Sequence, residues 1–132
     1  MRQSNKIEQE VYQDLETRLS QAMENRKTVE FNQYQEFVKT MKVYPEKHAI
    51  VYPALGIAGE GGEIAEKVKK WLRGDRELDK TEVAKELGDV CWYIASMADD
   101  LGFTLQQVIQ MNVEKLTSRK ERGVQKGDGD NR

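Results

Sequence analysis

Apolar residues recur along most of this chain at steps of three and four, the period of an α-helix with one buried face. Between Lys6 and about Asn25 the stripe is thin. Val11, Leu15, Leu19, Ala22 and Met23 sit among many charges, which predicts an amphipathic helical arm suited to packing on a neighbour or a second subunit. The pattern restarts near Thr28, where Phe31, Tyr34, Phe37, Val38 and Met41 mark a second helix that the Tyr44-Pro45 step should end. A third helix runs from Pro53 to about Leu72, with Leu55, Ile57, Ala58, Ile64, Ala65, Val68, Trp71 and Leu72 as its apolar set. Proline suits its first turn, where the missing N–H would be unpaired anyway.

After a polar linker from Gly74, Asp79 and Glu82 have the logic of a capping box and open a fourth helix that ends at Gly102. Its apolar positions, from Val83 through Leu87, Val90, Cys91, Ile94 and Ala98 to Leu101, cover so much of its circumference that it should be the central, most buried element. Thr104 and Gln107 form a capping box for the fifth, with Phe103 and Val108 placed for a hydrophobic staple. With essentially no strand, the expectation is an all-α bundle: an N-terminal helical arm over residues 1–27, four core helices within 28–122, and a tail over 123–132. By composition that tail reads as flexible.

The length of 132 residues and a hydrophobic content of 38% suit one compact domain with a modest core. Lys+Arg 21 against Asp+Glu 23 leaves a net charge of -2, so no global basic signature of nucleic-acid binding is present. Any anionic ligand must be held locally. The sole cysteine, Cys91, excludes an internal disulfide framework and, from its apolar helical setting, reads as a buried, reduced thiol. His48, the one histidine, makes a poor zinc site by itself and reads as a surface or hydrogen-bonded residue. A polar N-terminus and the lack of a long apolar run make a cytoplasmic protein with no membrane partner the default.

The chemistry concentrates in Glu60-x-x-Glu63 and, after a gap of twenty-two residues, Glu86-x-x-Asp89. A spacing of three puts both members of each pair on one helix face, so two facing helices can aim four carboxylates into one small volume. Like charges so placed repel, and burying them without a cation costs far more. A cation is the natural missing partner, and oxygen-only ligands favour Mg²⁺ or Mn²⁺. Taken alone, Glu86 and Asp89 could equally face solvent from a polar seam; the matching pair on the preceding helix tips the reading.

Near the first pair lie Gly56, Gly59, Gly61 and Gly62, each costing roughly 0.5 to 1 kcal/mol in a helix relative to alanine. Close approach of a backbone or a ligand is the usual reason for tolerating them. A P-loop is excluded because Gly-Lys-Ser/Thr is missing and acids occupy its middle. Lys67 and Lys70 follow Glu63 and Glu66 by four and read as surface pairs. On the last helix Asn112, Lys115 and Arg119 share one stripe. It is solvated charge on the ordinary reading and a phosphate clamp if it stands opposite a metal-loaded acidic site. The aromatics Tyr34 and Phe37 read as core, with a base pocket as the lesser alternative.

Together, Leu55 to Glu66 (LGIAGEGGEIAE), Glu86 to Tyr93 (ELGDVCWY) and Asn112-x-x-Lys-Leu-x-x-Arg119 resemble the MazG-like branch of the all-α nucleoside triphosphate pyrophosphohydrolases. The likeness covers roughly Glu46 to the C-terminus, where Arg122-Gly123 and the final GDGDNR also look like the tail of small MazG-like proteins; the first 27 residues lie outside it. Gly59 stands where many members carry a second glutamate, as in the shorter ExxE subgroup.

The resemblance implies a helical bundle that dimerises, often further to a tetramer, and that hydrolyses a (d)NTP at the α-phosphate to (d)NMP and pyrophosphate. It implies Mg²⁺, with Mn²⁺ as a substitute, on Glu60, Glu63, Glu86 and Asp89, one of which also orients or deprotonates the attacking water. It implies phosphate or sugar contacts from Asn112, Lys115 and Arg119 and a nucleotide contact from Tyr93. The rival expectation is a non-catalytic oligomerisation or nucleotide-sensing module of the same fold. A di-iron bundle is set aside because its Glu-x-x-His pairs are missing.

Overall fold

The computed structural model describes residues 28–132 continuously and, before them, only Gln13, Asp14, Thr17, Arg18, Ser20, Gln21 and Glu24, all helical. The apolar stripe expected for the arm (Val11, Leu15, Leu19, Ala22, Met23) lies outside the described residues. From Phe31 onward the chain forms one compact unit. It contains α1 (Phe31–Met41), a 3₁₀ turn (Glu46–His48), α2 (Val51–Leu72), α3 (Lys80–Asp100) and α4 (Leu105–Glu121), with no strand among the described residues. The all-α expectation is met.

Boundaries follow the local chemistry. Pro53 is buried in the first turn of α2, and Gly74 takes the left-handed conformation just past its end. The Asp79 carboxylate accepts from the backbone N–H groups of Thr81 (2.9 Å) and Glu82 (3.0 Å), capping α3. Glu82 itself turns to Lys85 at 2.9 Å. Gly102 closes the α3–α4 corner with φ +81, and both halves of the Thr104–Gln107 capping box are present.

Helix α3 is the hub: it packs against α1, α2 and α4, and its pairing with α2 is the most extensive. Its fully buried residues all lie in the C-terminal half, however. Ala95, Ser96 and Ala98 are buried, whereas Leu87 and Cys91 are exposed. The buried thiol expected from periodicity is therefore corrected. A helix apolar on several faces hides only those that neighbours cover, and among the described residues none buries Cys91.

The core joins Val38, Ala95 and Leu105, with Tyr34, Trp92, Ile94 and Ile109 packed around them. Inside it the Gln35 amide, 4% exposed, donates to the Phe103 carbonyl (2.9 Å) and the Ala95 carbonyl (3.4 Å). Its oxygen accepts from Leu105 N–H at 2.9 Å. One side chain thus satisfies the Phe103 carbonyl and the Leu105 N–H, which the α3–α4 corner leaves without helical partners. Gln35→Leu keeps the volume but orphans those groups, and should cost about 1–3 kcal/mol. Urea unfolding checks this; an unshifted midpoint would contradict it.

Candidate metal centre

Helices α2 and α3 are joined by a short connection, and their paired positions run in opposite directions. Gly56 lies against Tyr93, Glu60 is near Asp89, and Lys67 meets Glu86 at 3.2 Å. In this antiparallel frame the motif spacings become a place. Carboxylate oxygens of Glu60, Glu86 and Asp89 lie within 4.8 Å of one another. Glu60 and Glu86 are partly buried and Asp89 is exposed, so the group opens to solvent on one side.

Electrostatics mark the cluster as short of positive charge. The Glu60 carboxyl is held above the ordinary glutamate range, first by desolvation and then by Asp89, Glu86 and Glu63. Lys67 answers only at Glu86. A hard divalent cation fits this all-oxygen donor set, whose mutual repulsion it would relieve. Glu63, exposed and one turn beyond Glu60, lies outside the three-carboxylate group but close enough to act on Glu60 through its charge.

Beside the carboxylates is an open cavity of about 390 Å³ lined by Met41, Val43, Tyr44, Tyr52, Glu60, Asp89, Trp92 and Tyr93. Its aromatic wall is continuous. Tyr44 stacks on Tyr52 at 4.7 Å between ring centroids, Tyr52 meets Tyr93 at 6.4 Å, and Trp92 stands edge-on to Tyr93 at 5.1 Å. Gly56 is what admits the Tyr93 ring, because a Cβ there would overlap it. By contrast Gly59, Gly61 and Gly62 face open space.

The structure thus brings Glu60, Glu86, Asp89 and Tyr93 together. Neither Tyr34 nor Phe37 lines the cavity; Tyr34 packs on the core and Phe37 is exposed. Tyr44, Tyr52 and Trp92 were missed as a group because their convergence depends on three separate segments. The signal available in sequence was only Tyr44 and Tyr52 flanking the third helix's start.

Asn112, Lys115 and Arg119 follow a different course. Asn112 is exposed, while Arg119, for which the sequence leaves solvated charge and a phosphate clamp as alternatives, is 6% exposed and so not a solvated charge. Lys115 and Arg119 both reach the Asp130 carboxylate, at 3.1 and 3.2 Å, and line a cavity separate from the aromatic one. The last residues are accordingly not a free tail. Arg119 also donates to the carbonyls of Gly129 and Asp130, and Arg132 donates back to Val124, Gln125 and Gly129. His48 is exposed on the 3₁₀ turn, as expected.

The family model for the MazG nucleotide pyrophosphohydrolase domain matches residues 53–124, from the start of α2 past the end of α4. The chain belongs to this family. This MazG domain is 48% identical over 85 residues to the Gene 37 protein of Mycobacterium phage L5, covering 61% of this chain and 75% of that protein. It is also 37% identical over 71 residues to the uncharacterized protein YvdC of Bacillus subtilis (strain 168), covering 47% of this chain and 67% of that protein. No solved structure gives a significant match to this MazG domain. Among the described residues no helix is long and apolar enough to cross a membrane.

A pH-dependent metal effect follows from the Glu60 shift. Because its folded-state pKa is raised, Glu60 destabilises the metal-free fold once pH rises through that value, and protonation relieves the repulsion. A divalent cation needs the deprotonated group. Mg²⁺ should therefore raise the melting temperature more at pH 7.5 than at pH 5, and Glu60→Gln should remove most of the difference. Equal Mg²⁺ shifts at both pH values, measured by thermal denaturation, would contradict the assignment.

Proposed function

We propose that this MazG domain is a Mg²⁺-dependent nucleoside triphosphate pyrophosphohydrolase, converting a (d)NTP to (d)NMP and pyrophosphate in the cytoplasm, with Mn²⁺ able to substitute. The observation that carries the reading is the carboxylate group set at the edge of an aromatic-walled cavity. The carboxylates suit the phosphate end of a metal-bound nucleotide and the rings suit its base.

Glu60, Glu86 and Asp89 would hold the cation, and Glu63, one turn away, would complete the set or take the proton from the attacking water. When bound, the cation neutralises polyphosphate charge and makes water a stronger nucleophile at neutral pH. Water would attack the α-phosphorus while losing a proton to Glu63, the bond to the α–β bridging oxygen would break, and pyrophosphate would leave. The Tyr44–Tyr52 stack, Trp92 and Tyr93 provide flat apolar surface for a base, with Met41 and Val43 closing one side.

Asn112, Lys115 and Arg119 form the phosphate clamp in this reading. Because Lys115 and Arg119 line a different cavity within one chain, the stripe acts in this reading through a homodimer or homotetramer that brings it to another copy's carboxylates. Extensive exposed apolar surface on α2 and α3, including Leu55 (69%), Leu72 (74%) and Leu87 (52%), supports such an assembly.

Pyrophosphate release measured across canonical NTPs and dNTPs with Mg²⁺ tests the assignment. Glu86→Gln, Asp89→Asn and Glu63→Gln should each lower kcat/KM by about 10²-fold or more while leaving the far-ultraviolet circular dichroism intact. Undiminished turnover in these variants, or no release with any nucleotide, would overturn it.

A further inference from the structure

The segment between α1 and α2 is held onto the C-terminal end of α3 by one carboxylate. Asp100, its side chain 8% exposed, takes Lys42 Nζ on one oxygen at 2.7 Å. Its other oxygen accepts from the Tyr44 hydroxyl at 2.8 Å and from Ile50 N–H at 2.9 Å. The Tyr44 hydroxyl also shares a hydrogen bond with Ser96, which is fully buried, at 2.5 Å. Neighbouring Asp99 touches Lys42 as well, at 2.7 Å, but shares neither of the other partners.

Two of the groups gathered by Asp100 govern the aromatic wall. Tyr44 is itself a lining residue. Ile50 is the residue from which α2 starts, two positions before lining residue Tyr52 and ten before Glu60. It adopts φ +67 and ψ -52 at the centre of a γ-turn closed by Val51 N–H on the Ala49 carbonyl at 2.7 Å, a strained conformation that a β-branched residue takes only when its surroundings impose it. The bond from Ile50 N–H to Asp100 is such an imposition. Burial works against the Asp100 charge, but Lys42, the Ile50 amide and the Tyr44 hydroxyl outweigh it and hold the carboxyl below its ordinary range. The anchor is therefore ionised at neutral pH.

We infer that Asp100 is a positioning residue for nucleotide recognition: by fixing the Tyr44 hydroxyl and the strained Ile50 backbone, it sets the Tyr44–Tyr52 wall against the carboxylate-bearing helix. This rests on the proposed nucleotide site but assigns to Asp100 no contact with substrate. Its action lies in the geometry of the base-binding wall and leaves the carboxylates that carry the chemistry in place. A substitution should therefore appear in KM and spare kcat.

The test uses the full chain and four variants: Asp100→Asn, Tyr44→Phe, their double variant, and Asp99→Asn, which breaks part of the Lys42 pairing but leaves the Asp100 bonds to Tyr44 and Ile50 in place. With the best nucleotide and Mg²⁺, Asp100→Asn and Tyr44→Phe should each raise KM about tenfold at nearly constant kcat. The double variant should fall well short of the product of the two single effects, because both substitutions remove the shared Tyr44–Asp100 bond. Asp99→Asn should stay within about twofold of wild type.

A readout independent of turnover accompanies this. In a Trp71→Phe background, acrylamide quenching of Trp92 should increase in Asp100→Asn and Tyr44→Phe but stay unchanged in Asp99→Asn. Equal effects of Asp99→Asn and Asp100→Asn, or a loss confined to kcat, would overturn the positioning role. If wild type releases no pyrophosphate, the quenching series still decides whether Asp100 sets the wall, so failure of the hydrolase reading is distinguishable from failure of this one. Should Asp100→Asn not fold, Tyr44→Phe alone carries the outcome, and its unchanged quenching and KM would overturn the inference.

Discussion

Repulsion among carboxylates held across the antiparallel α2–α3 pair is the constraint on which the architecture of this protein turns. Glu60, Glu86 and Asp89 come within 4.8 Å because two long helices pack closely and in one register. Gly56 makes that register possible by giving Tyr93 a seat on α2. A slip along either helix would separate the acids and unseat the ring together. Lys67 relieves the cluster at Glu86 only, so the pairing that organises the bundle is also the one short of positive charge. A fold that concentrates like charge where it packs most extensively is read most simply as a receptacle for a cation.

The remainder of the bundle can be viewed as support for that pair. At the α3–α4 corner Gln35 satisfies backbone groups of both helices and ties them to α1. On the other side, Asp100 satisfies the start of α2 and ties down the segment before it. Both are buried polar side chains with their hydrogen bonds met, which makes them specific where an apolar contact would be permissive. Tyr44, one of the residues Asp100 holds, belongs to the aromatic wall beside the carboxylates. Stability and recognition thus draw on the same few bonds.

Much of this was legible in the sequence, and the parts that were not share a physical cause. Period and cap chemistry located four helices, because the 3.6-residue repeat and the residues Pro53, Asp79, Gly102 and Thr104 act locally. The i, i+3 acid pairs pointed to the cluster, although the geometry groups three of the four carboxylates and leaves Glu63 at the margin. Cys91 was misjudged because an apolar helical position says that burial is favourable, not that a neighbour is there to provide it. For Arg119 the solvated-charge alternative fails in the opposite direction. Its burial comes from the last residues folding back, with Asp130 and two backbone carbonyls as partners, and composition alone carries no trace of such a closure. Asp100 was passed over for the same reason: its partners Lys42, Tyr44 and Ile50 are fifty or more residues away.

The central claim is that carboxylates from α2 and α3 hold one divalent cation in common. Electron paramagnetic resonance of Mn²⁺ titrated into the protein tests it most directly, because bound and free ion are resolved without any need for turnover. The account predicts saturable Mn²⁺ binding in the wild type that is weakened alike by neutralising Glu60 on one helix or Asp89 on the other. Binding that survives both substitutions unchanged would contradict it.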